Sequence, residues 1–297
     1  MTTPFGRAGL PAVVLVAHDK PRHLHRLLAA LSPLPVFLHV DANTGDALYA
    51  KMTAGLGDNV RLQPRLAAGW ARFEVVQAEL EGYRAALAQT DAEHIILATG
   101  ADYPLADVAS IVAWLAAHPG RSYAEVNPLP IQGWGLMRGY DRFLFRSRPW
   151  RGRRLAWPVP RRPPRDLRLS GGAQTKILTR RHAQLILDVL DDRPELVRWF
   201  RRSWTPDEVL IPTLLLTEHL GAHWSEQGSP GPHPWFIDWG DKPAKNPRWL
   251  GMGHFEALRQ AADRSDVPAL FARKFADESD VLVAAVDEQL RLRASAE

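Results

Sequence analysis

The chain has 297 residues, 46% of them hydrophobic, which is enough to bury a large core as one domain or as two closely joined halves. It contains no cysteine, which excludes disulfides and thiolate metal sites, and its formal net charge at pH 7 is a modest +4. No apolar run approaches the roughly 20 residues of a membrane helix, and the N-terminus lacks the features of a signal peptide, so the sequence predicts a cytoplasmic protein.

The first 127 residues alternate between strand and helix patterns. Short apolar runs rich in β-branched residues predict strands at 12–17, 35–40, 94–99 and 122–126, with a weaker one at 59–63. Helical spacing of apolar residues predicts helices at 22–32, 73–89 and 108–118. This alternation indicates an α/β fold, in which helices cover both faces of a mostly parallel sheet.

Polar residues follow the predicted strands at the ends where such a sheet binds ligands. His18 and Asp19 follow the first strand, Asp41 follows the second, and Asp102 stands just beyond the strand at 94–99. Ligands of open α/β sheets bind beyond the carboxyl ends of the strands. The sequence therefore predicts a binding site at this edge of the sheet.

The second half contains an arginine-rich segment between two helical regions. Residues 146–168 carry nine arginines, five prolines and one acid, which predicts an exposed loop without regular structure. Such a loop is either a solvated surface or a site for a phosphate-bearing partner: an anionic acceptor, an anionic membrane surface or nucleic acid. Further helices are predicted at 180–191, 206–220 and 279–294, with a Trp- and Pro-rich stretch at 223–250.

The stretch "SWTPDEVLIPTLL" (203–215) begins a helix with two adjacent acids. Thr205 suits an N-cap, Pro206 suits the first helical position, and acids complement the positive end of the helix dipole. Taken alone, these features favour a capping role for Asp207 and Glu208. Walker A, G-x-G-x-x-G, H-E-x-x-H, G-x-S-x-G and D-x-D motifs are all absent from the sequence.

Seven segments in the same order resemble one family, the core-2/I-branching N-acetylglucosaminyltransferases and peptide O-xylosyltransferases. They cover most of residues 12–275 and read VVLVAHDKPRHLHRLLAAL, VFLHVDANT, GWARFEVVQAELEGYRAAL, LATGADYPLADVASIVAWL, GGAQTKILTRRHAQLIL, TPDEVLIPTLL and LFARKF. The resemblance implies a GT-A-type fold and an inverting sugar transfer that needs no metal. The missing D-x-D motif agrees with this, because that motif commonly holds the divalent ion of nucleotide-sugar transferases.

The resemblance also implies roles for the acid pair and for several cations. Glu208 becomes the general base that takes the acceptor proton, and Asp207 caps the helix. Lys274 of "FARKF" meets the diphosphate, with Arg273 as a possible assistant. For a second diphosphate cation the candidates are Lys245 and Arg248, and most such side chains are otherwise solvated surface charges.

The remaining site residues are assigned to donor and acceptor by the same resemblance. On the donor side, Val16, His18 and Asp41 bind the nucleotide, Trp70 covers it or packs in the core, and Asp102 touches the donor sugar or holds a turn. On the acceptor side we expect Gln174, Trp235 and Trp239, the tryptophans stacking on sugar rings or packing in the core. Thr175 and Lys176 stand where the family commonly has aromatic residues, which leaves the acceptor open.

Taken together, the sequence predicts a single glycosyltransferase domain over residues 1–297. Residues 1–127 form its nucleotide-sugar half, and residues 128–297 form its acceptor-binding and catalytic half. The expected substrates are a UDP-sugar, carrying GlcNAc or xylose, and a glycan or lipid-linked acceptor, with no cofactor and with peripheral contact to an anionic inner-membrane surface. The alternatives are a basic nucleic-acid-binding protein and a glycan-binding relative without catalysis. Nucleic acid is the less favoured partner.

Overall fold

The computed structural model describes residues 5–151, 153–228, 232–240 and 246–291. The strands are β1 (Ala12–Ala17), β2 (Val36–Val40), β3 (Val60–Leu62), β4 (His94–Thr99), β5 (Asp102–Pro104), β6 (Asn127–Pro128), β7 (Phe145–Trp150), β8 (Arg153–Pro160), β9 (Ser170–Gly171), β10 (Lys176–Thr179), β11 (Trp235–Ile237) and β12 (Phe271–Arg273). The α-helices are α1 (Pro21–Leu31), α2 (Asp46–Thr53), α3 (Phe73–Gln89), α4 (Val108–Ala116), α5 (Asp141–Leu144), α6 (Arg180–Asp192), α7 (Pro194–Phe200), α8 (Pro206–Leu216), α9 (Trp224–Gln227), α10 (Phe255–Ala262) and α11 (Asp280–Val286).

The central sheet has five strands in the order β10–β4–β1–β2–β3. The pairs of β1 with β2, β1 with β4 and β2 with β3 are parallel, whereas β10 runs antiparallel to β4. A smaller sheet in the order β11–β12–β5 lies alongside, and β6–β9 and β7–β8 form two-stranded ribbons. The predicted α/β class with a mostly parallel sheet is confirmed.

Helices cover both faces of the central sheet. Along β1, Val13 and Leu15 belong to one buried cluster and Ala12 and Val14 to another, because successive strand residues face opposite sides. The first cluster includes α1, α2, α4, α10 and α11, and the second includes α3, α6, α7 and α8. Helix α3 lies close against β1 at Gly82, where a Cβ atom would stand 2.3 Å from a Val14 methyl group.

The arginine-rich segment is an irregular loop only after Pro160, over residues 161–168. Strands β7 and β8 before it pair as an antiparallel hairpin, so the prediction that proline excludes regular structure was wrong for these two strands. A two-stranded ribbon has a free edge on each strand, where a proline that lacks an N–H group interrupts no ladder. The hairpin remains largely exposed, as its charge predicts.

Two other predicted elements differ from the structure. The strand at 122–126 is reduced to isolated bridges at Ser122 and Tyr123, with β6 starting only at Asn127. The last predicted helix is present as α11 and continues as a π-helical turn, Asp287–Arg291, and its predicted end at 294 lies outside the described residues. None of the described helices is long and apolar enough to cross a membrane.

Candidate active site

The carboxyl edge of the central sheet gathers the predicted site. Strands β1, β2 and β4 end there, and β10 begins there because it runs antiparallel, with Lys176 opposite Leu97. The smaller sheet joins the same edge, since the Phe275 N–H donates to the Ala101 carbonyl oxygen just beyond β4. Segments distant in sequence thus meet around one surface.

Glu208 lies in the first turn of α8 and its carboxylate pairs with Arg142. The side chain keeps 28% exposure, so it reaches solvent while the guanidinium fixes its direction. Helix α8 begins at Pro206 as predicted, but Thr205 does not cap it. Thr205 has a left-handed backbone (φ 43°), and its hydroxyl accepts from Arg142 instead. A left-handed threonine is strained, which is common beside functional residues.

Pro212 connects α8 to the predicted acceptor loop. A proline inside a helix has no N–H, so the carbonyl oxygen four residues earlier, that of Glu208, loses its usual partner. The Gly172 N–H donates to that oxygen over 2.9 Å. A Cβ atom at Gly172 would lie 1.9 Å from the Glu125 carbonyl oxygen, so only glycine fits this approach. The sequence thereby fastens the loop before β10 to the backbone of Glu208.

Beneath Glu208 lies a buried ion pair. Lys176 and Glu79 have no exposed side-chain surface and are 2.8 Å apart, and the Tyr83 hydroxyl donates to the same Glu79 oxygen over 2.7 Å. A buried cation and anion cost less when paired and hydrogen-bonded than when alone. Lys176 therefore belongs to the interior, although its place in the sequence suggested the acceptor surface.

Asp207 faces this interior and does not simply cap the helix. Its Oδ1 atom is buried and makes no hydrogen bond within the described part of the chain. Burial raises the pKa of Asp207 to about 7, and the neighbouring Glu208 carboxylate adds to the shift, while Lys176 opposes it. The two adjacent acids therefore have different surroundings: Asp207 turns a buried oxygen to the interior, and Glu208 is paired with Arg142.

Glu125 is a third carboxylate at this position. The Ala173 N–H donates to its Oε2 atom over 3.1 Å, which ties it to the loop that contains Gly172. Burial raises the pKa of Glu125, and the Glu208 carboxylate raises it further. Glu125 and Glu208 therefore lie near each other, beside the loop before β10.

Lys274 stands on the other side of the edge, directly after β12. Its Nζ atom lies 3.4 Å from the Asn246 side-chain oxygen and 5.5 Å from the centre of the Trp249 ring. Burial lowers the pKa of Lys274 and Arg273 lowers it further, whereas Asp102 and Asp19 raise it. This is a partly desolvated cation that an anionic group would stabilise.

Two further cations lie near Lys274. The Lys20 Nζ atom lies 5.8 Å from the same Trp249 ring and 3.9 Å from Glu278. The Arg248 side chain is 55% exposed and lies 3.7 Å from Asp238. The segments of Lys274 and Arg248 are joined through the backbone, because the Lys274 N–H donates to the Arg248 carbonyl oxygen. The other candidate for the second cation, Lys245, lies outside the described residues.

Asp102 and Arg273 lie behind Lys274. The Asp102 carboxylate has no exposed surface, accepts from the Thr99 N–H over 2.5 Å and lies 3.5 Å from the Arg273 Nε atom. Arg273 itself is only 13% exposed. Neither side chain faces the surface where a donor sugar or diphosphate would lie, which corrects the expected roles of both residues. Each instead compensates the charge of the other in the interior.

Asp41 organises the loop that carries Trp70. Its carboxylate accepts from the backbone N–H groups of Asn43, Ala68 and Gly69 over 2.8, 3.2 and 2.8 Å. These bonds hold the loop over the end of β2, whereas the sequence assigned the carboxylate to the nucleotide. Trp70 is 42% exposed and meets Trp204 edge to face, with ring centres 5.2 Å apart. Trp204 precedes Glu208 by four residues, so this contact joins the predicted donor loop to the segment of the predicted base.

The other predicted donor residues lie at the end of β1. Val16 is half-buried, and its carbonyl oxygen accepts from the Gly100 N–H over 2.8 Å, which closes the edge between β1 and β4. The His18 side chain is 74% exposed, 3.6 Å from Asp19. His18 is therefore open to a ligand, while Val16 offers mainly its backbone.

The predicted acceptor residues differ in their exposure. Gln174 is half-buried in the loop before β10, two residues from Gly172. Trp235 is only 4% exposed and stacks between His233 and Phe271, so the expected contact with the acceptor is corrected to core packing. Trp239 is 46% exposed and lies just beyond β11, beside the segment of Arg248.

Sequence reasoning missed five residues of this surface: Glu125, Arg142, Trp204, Lys20 and Trp249. Of these, Trp204 lies in the P-D-E segment and Lys20 in the first resembling segment, so position in the sequence was a usable signal. No pattern marked the others, because their partners are distant along the chain. Among the described residues, no group of three or more acids or histidines could hold a metal ion.

Comparisons with known proteins place the chain in one family. The sequence model of the family described as "Branch: Core-2/I-Branching enzyme" matches residues 16–259. Mouse xyloside xylosyltransferase 1, in its apo form, is similar in structure at 11% sequence identity and a TM-score of 0.40, over 89% of this chain and 97% of that chain. The comparison with curated proteins gave no match.

Proposed function

The chain belongs to the core-2/I-branching enzyme family, and from this premise we propose that it is an inverting, metal-independent glycosyltransferase with UDP-GlcNAc or UDP-xylose as donor. Its membership makes it a glycosyltransferase with a sugar donor and a glycan or glycoconjugate acceptor, and its α/β architecture is of the GT-A type. The proposed additions are the donor, the stereochemistry, the metal independence and the catalytic residues.

One observation supports this function above the others: an acid and a cation stand at one edge of the central sheet. Glu208 reaches the edge through the bond from Gly172, in the loop before β10. Lys274 reaches it through the Phe275 N–H, which bonds to the end of β4. A single displacement needs this pair of groups, a base for the attacking hydroxyl and a positive charge at the leaving group.

In the proposed mechanism the acceptor hydroxyl oxygen attacks the anomeric carbon while the bond from that carbon to the diphosphate oxygen breaks. Glu208 receives the hydroxyl proton. Arg142 holds the Glu208 carboxylate in position, and Glu125 and Gln174 are offered as hydrogen-bonding partners of the acceptor on the same side. A positioned base of this kind is typically worth about 10² to 10⁴ in rate.

On the donor side, the leaving UDP gains negative charge as the bond breaks. Lys274, Arg248 and Lys20 are the proposed compensating charges, and the partial burial of Lys274 strengthens its interaction with an anion. His18, Val16 and the loop held by Asp41 are proposed to receive the nucleotide. Three cations at this position would take over the task that a divalent ion performs in other nucleotide-sugar transferases.

The acceptor is proposed to be a glycan or lipid-linked saccharide that the enzyme meets in the cytoplasm, at the anionic inner surface of a membrane. The exposed hairpin β7–β8 and its tryptophans Trp150 and Trp157 support this, since arginine and tryptophan side chains favour anionic interfaces.

The experiment is a UDP-release assay with purified full-length protein, a panel of UDP-sugars and EDTA. We expect turnover of UDP-GlcNAc or UDP-xylose that survives EDTA and falls by about 10² to 10⁴ in Glu208→Gln. The matched control is Glu226→Gln, an exposed acid in α9, which should keep its activity.

Three results would contradict parts of the proposal. Loss of turnover in EDTA would remove metal independence, and full activity in Glu208→Gln would remove the base. If no UDP-sugar is turned over and none raises the melting temperature, while oligonucleotides bind equally to wild type and Glu208→Gln, the nucleic-acid-binding alternative replaces the transferase.

A further inference from the structure

A cavity of about 380 Å³ opens between the hairpin β7–β8 and helix α7. Six arginines line it, and we call it the arginine pocket: Arg146, Arg161, Arg162, Arg198, Arg201 and Arg202. They come from the hairpin, the segment that follows it, α7 and the turn before α8, so the tertiary fold collects them.

The positive charge of the arginine pocket is largely uncompensated. Among the described residues, Arg201 alone of the six has a carboxylate within ion-pair distance, Glu74 at 2.8 Å. The acid at the pocket wall, Glu195, is bound by Arg193 over 2.9 Å. Five guanidinium groups thus surround one cavity with no carboxylate partner in the described part of the chain.

Arg161 forms the fixed wall of the pocket. Its Nε atom donates to the Phe143 carbonyl oxygen over 2.8 Å and its Nη2 atom to the Ser203 hydroxyl over 2.5 Å, and its guanidinium lies 4.1 Å from the Trp199 ring centre. Burial lowers the pKa of Arg161 to about 10, and Arg146 and Arg202 lower it further. The fold therefore holds the Arg161 cation in place despite repulsion from Arg146 and Arg202.

The pocket adjoins the acceptor side of the site. Phe143, whose carbonyl oxygen accepts from Arg161, directly follows Arg142, which pairs with Glu208. The Trp204 N–H donates to the Arg142 carbonyl oxygen, which joins the turn after α7 to the base. A group bound in the pocket is therefore connected to Glu208 through a short run of hydrogen-bonded backbone.

We propose that the arginine pocket binds a phosphate or diphosphate group of the acceptor, a role that rests on the proposed transferase function. Guanidinium groups bind phosphate oxygens in bidentate geometry, and a phosphate carries close to two negative charges at pH 7. Five arginines without a carboxylate at ion-pair distance in the described residues favour such a multiply charged group over a single carboxylate. The bound phosphate group anchors the acceptor while a hydroxyl of the acceptor sugar approaches Glu208.

The test is calorimetric titration of full-length protein with inorganic pyrophosphate in saturating UDP, which occupies the donor cations around Lys274. We expect binding that weakens about tenfold or more in Arg146→Gln/Arg198→Gln, because both side chains line the pocket and are exposed. The matched control, Arg148→Gln/Arg153→Gln, removes the same amount of charge from hairpin positions outside the pocket and should change binding less than about twofold.

Further experiments distinguish which molecule presents the phosphate group. Vesicles with and without phosphatidylglycerol test whether a membrane surface presents the phosphate: pyrophosphate binding without vesicle binding supports a group on the acceptor alone, and pocket-dependent binding of both supports an acceptor at the membrane. Equal losses in the pocket and control variants would mean that net charge alone acts, and would overturn the inference. Tight, pocket-dependent oligonucleotide binding without pyrophosphate binding would overturn it in favour of nucleic acid.

The UDP titration separates this inference from the proposed function. If UDP binds and pyrophosphate does not, the transferase proposal stands and the pocket proposal fails. If UDP does not bind, the transferase proposal fails and the acceptor role fails with it, while pocket-dependent pyrophosphate binding still supports the phosphate site.

Discussion

Two charged clusters in this molecule differ in burial and in pairing. In the interior, Lys176 is fully buried and pairs with the fully buried Glu79 over 2.8 Å. At the surface, the arginine pocket holds five guanidinium groups that have no carboxylate partner among the described residues. Both clusters flank the helix that carries Glu208, one beneath its first turn and one beside the turn before it.

The difference follows from solvation. A cation without water must have a counter-ion, because removing an ion from water costs several kcal/mol or more, so the fold itself requires Glu79. An exposed arginine is stabilised by water, and folding does not require a partner for it. Folding therefore accounts for the interior pair, whereas it does not account for a cluster of repelling arginines, which a ligand would explain.

The largest expected effect comes from breaking the interior pair. Lys176→Met should lower the free energy of unfolding by about 3–5 kcal/mol, because Glu79 is left as an unpaired buried charge. Denaturant unfolding measures this. The double variant Lys176→Met/Glu79→Met should recover most of the loss, and a cost below about 1 kcal/mol for the single variant would show that the pair is not essential to the fold.

A smaller, pH-dependent effect is expected at Asp207, which interacts with the interior pair. Its pKa is about 7 in the folded protein and near 3.8 when unfolded, so the folded state binds the extra proton and stability falls as pH rises from about 4 to 7. Asp207→Asn should therefore raise stability relative to wild type by about 1–3 kcal/mol at pH 8 and by less at pH 5. Melting temperatures of both proteins at the two pH values measure this, and a difference independent of pH would contradict the shifted pKa.

The smallest effect on stability is expected in the arginine pocket. Arg146→Gln/Arg198→Gln should change the free energy of unfolding by no more than about 0.5 kcal/mol, since exposed side chains without specific partners contribute little to folding. The measurement is the same denaturant unfolding, at low and high salt. A large destabilisation would contradict the contrast between the clusters, because it would show that these arginines stabilise the fold.

Much of the fold could be predicted because its signals are local. Helix α3 and strands β1 and β4 coincide with the predicted ranges, since apolar periodicity marks a helix stripe and a short β-branched run marks a buried strand. The hairpin β7–β8 was missed because its stability depends on pairing between two proline-containing strands. Strand β7 lacks the period-2 apolar pattern that predicts a sheet, and prolines interrupt the alternation of Leu155, Trp157 and Val159 in β8.

Site residues could be predicted only where they lie in a recognisable motif or at the end of a predicted strand. His18, Glu208 and Lys274 come to the same edge of the sheet, and that edge follows from the order of strands and helices. Trp235 and Asp102 look the same in sequence whether they face a ligand or the core, and the structure places both inside. The pairing of Arg142 with Glu208, 66 residues apart, had no sequence signal.

The sequence by itself determined the α/β class, the family and the edge at which the site lies, because periodicity, strand order and motif order are properties of neighbouring residues. Tertiary structure alone decided which charges are buried. Lys176 and the arginines of the pocket are equally cationic in sequence, but burial sets the cost of an unpaired charge, and burial depends on which distant segments meet. The fold therefore neutralised one cation in the core and left the others open to a ligand.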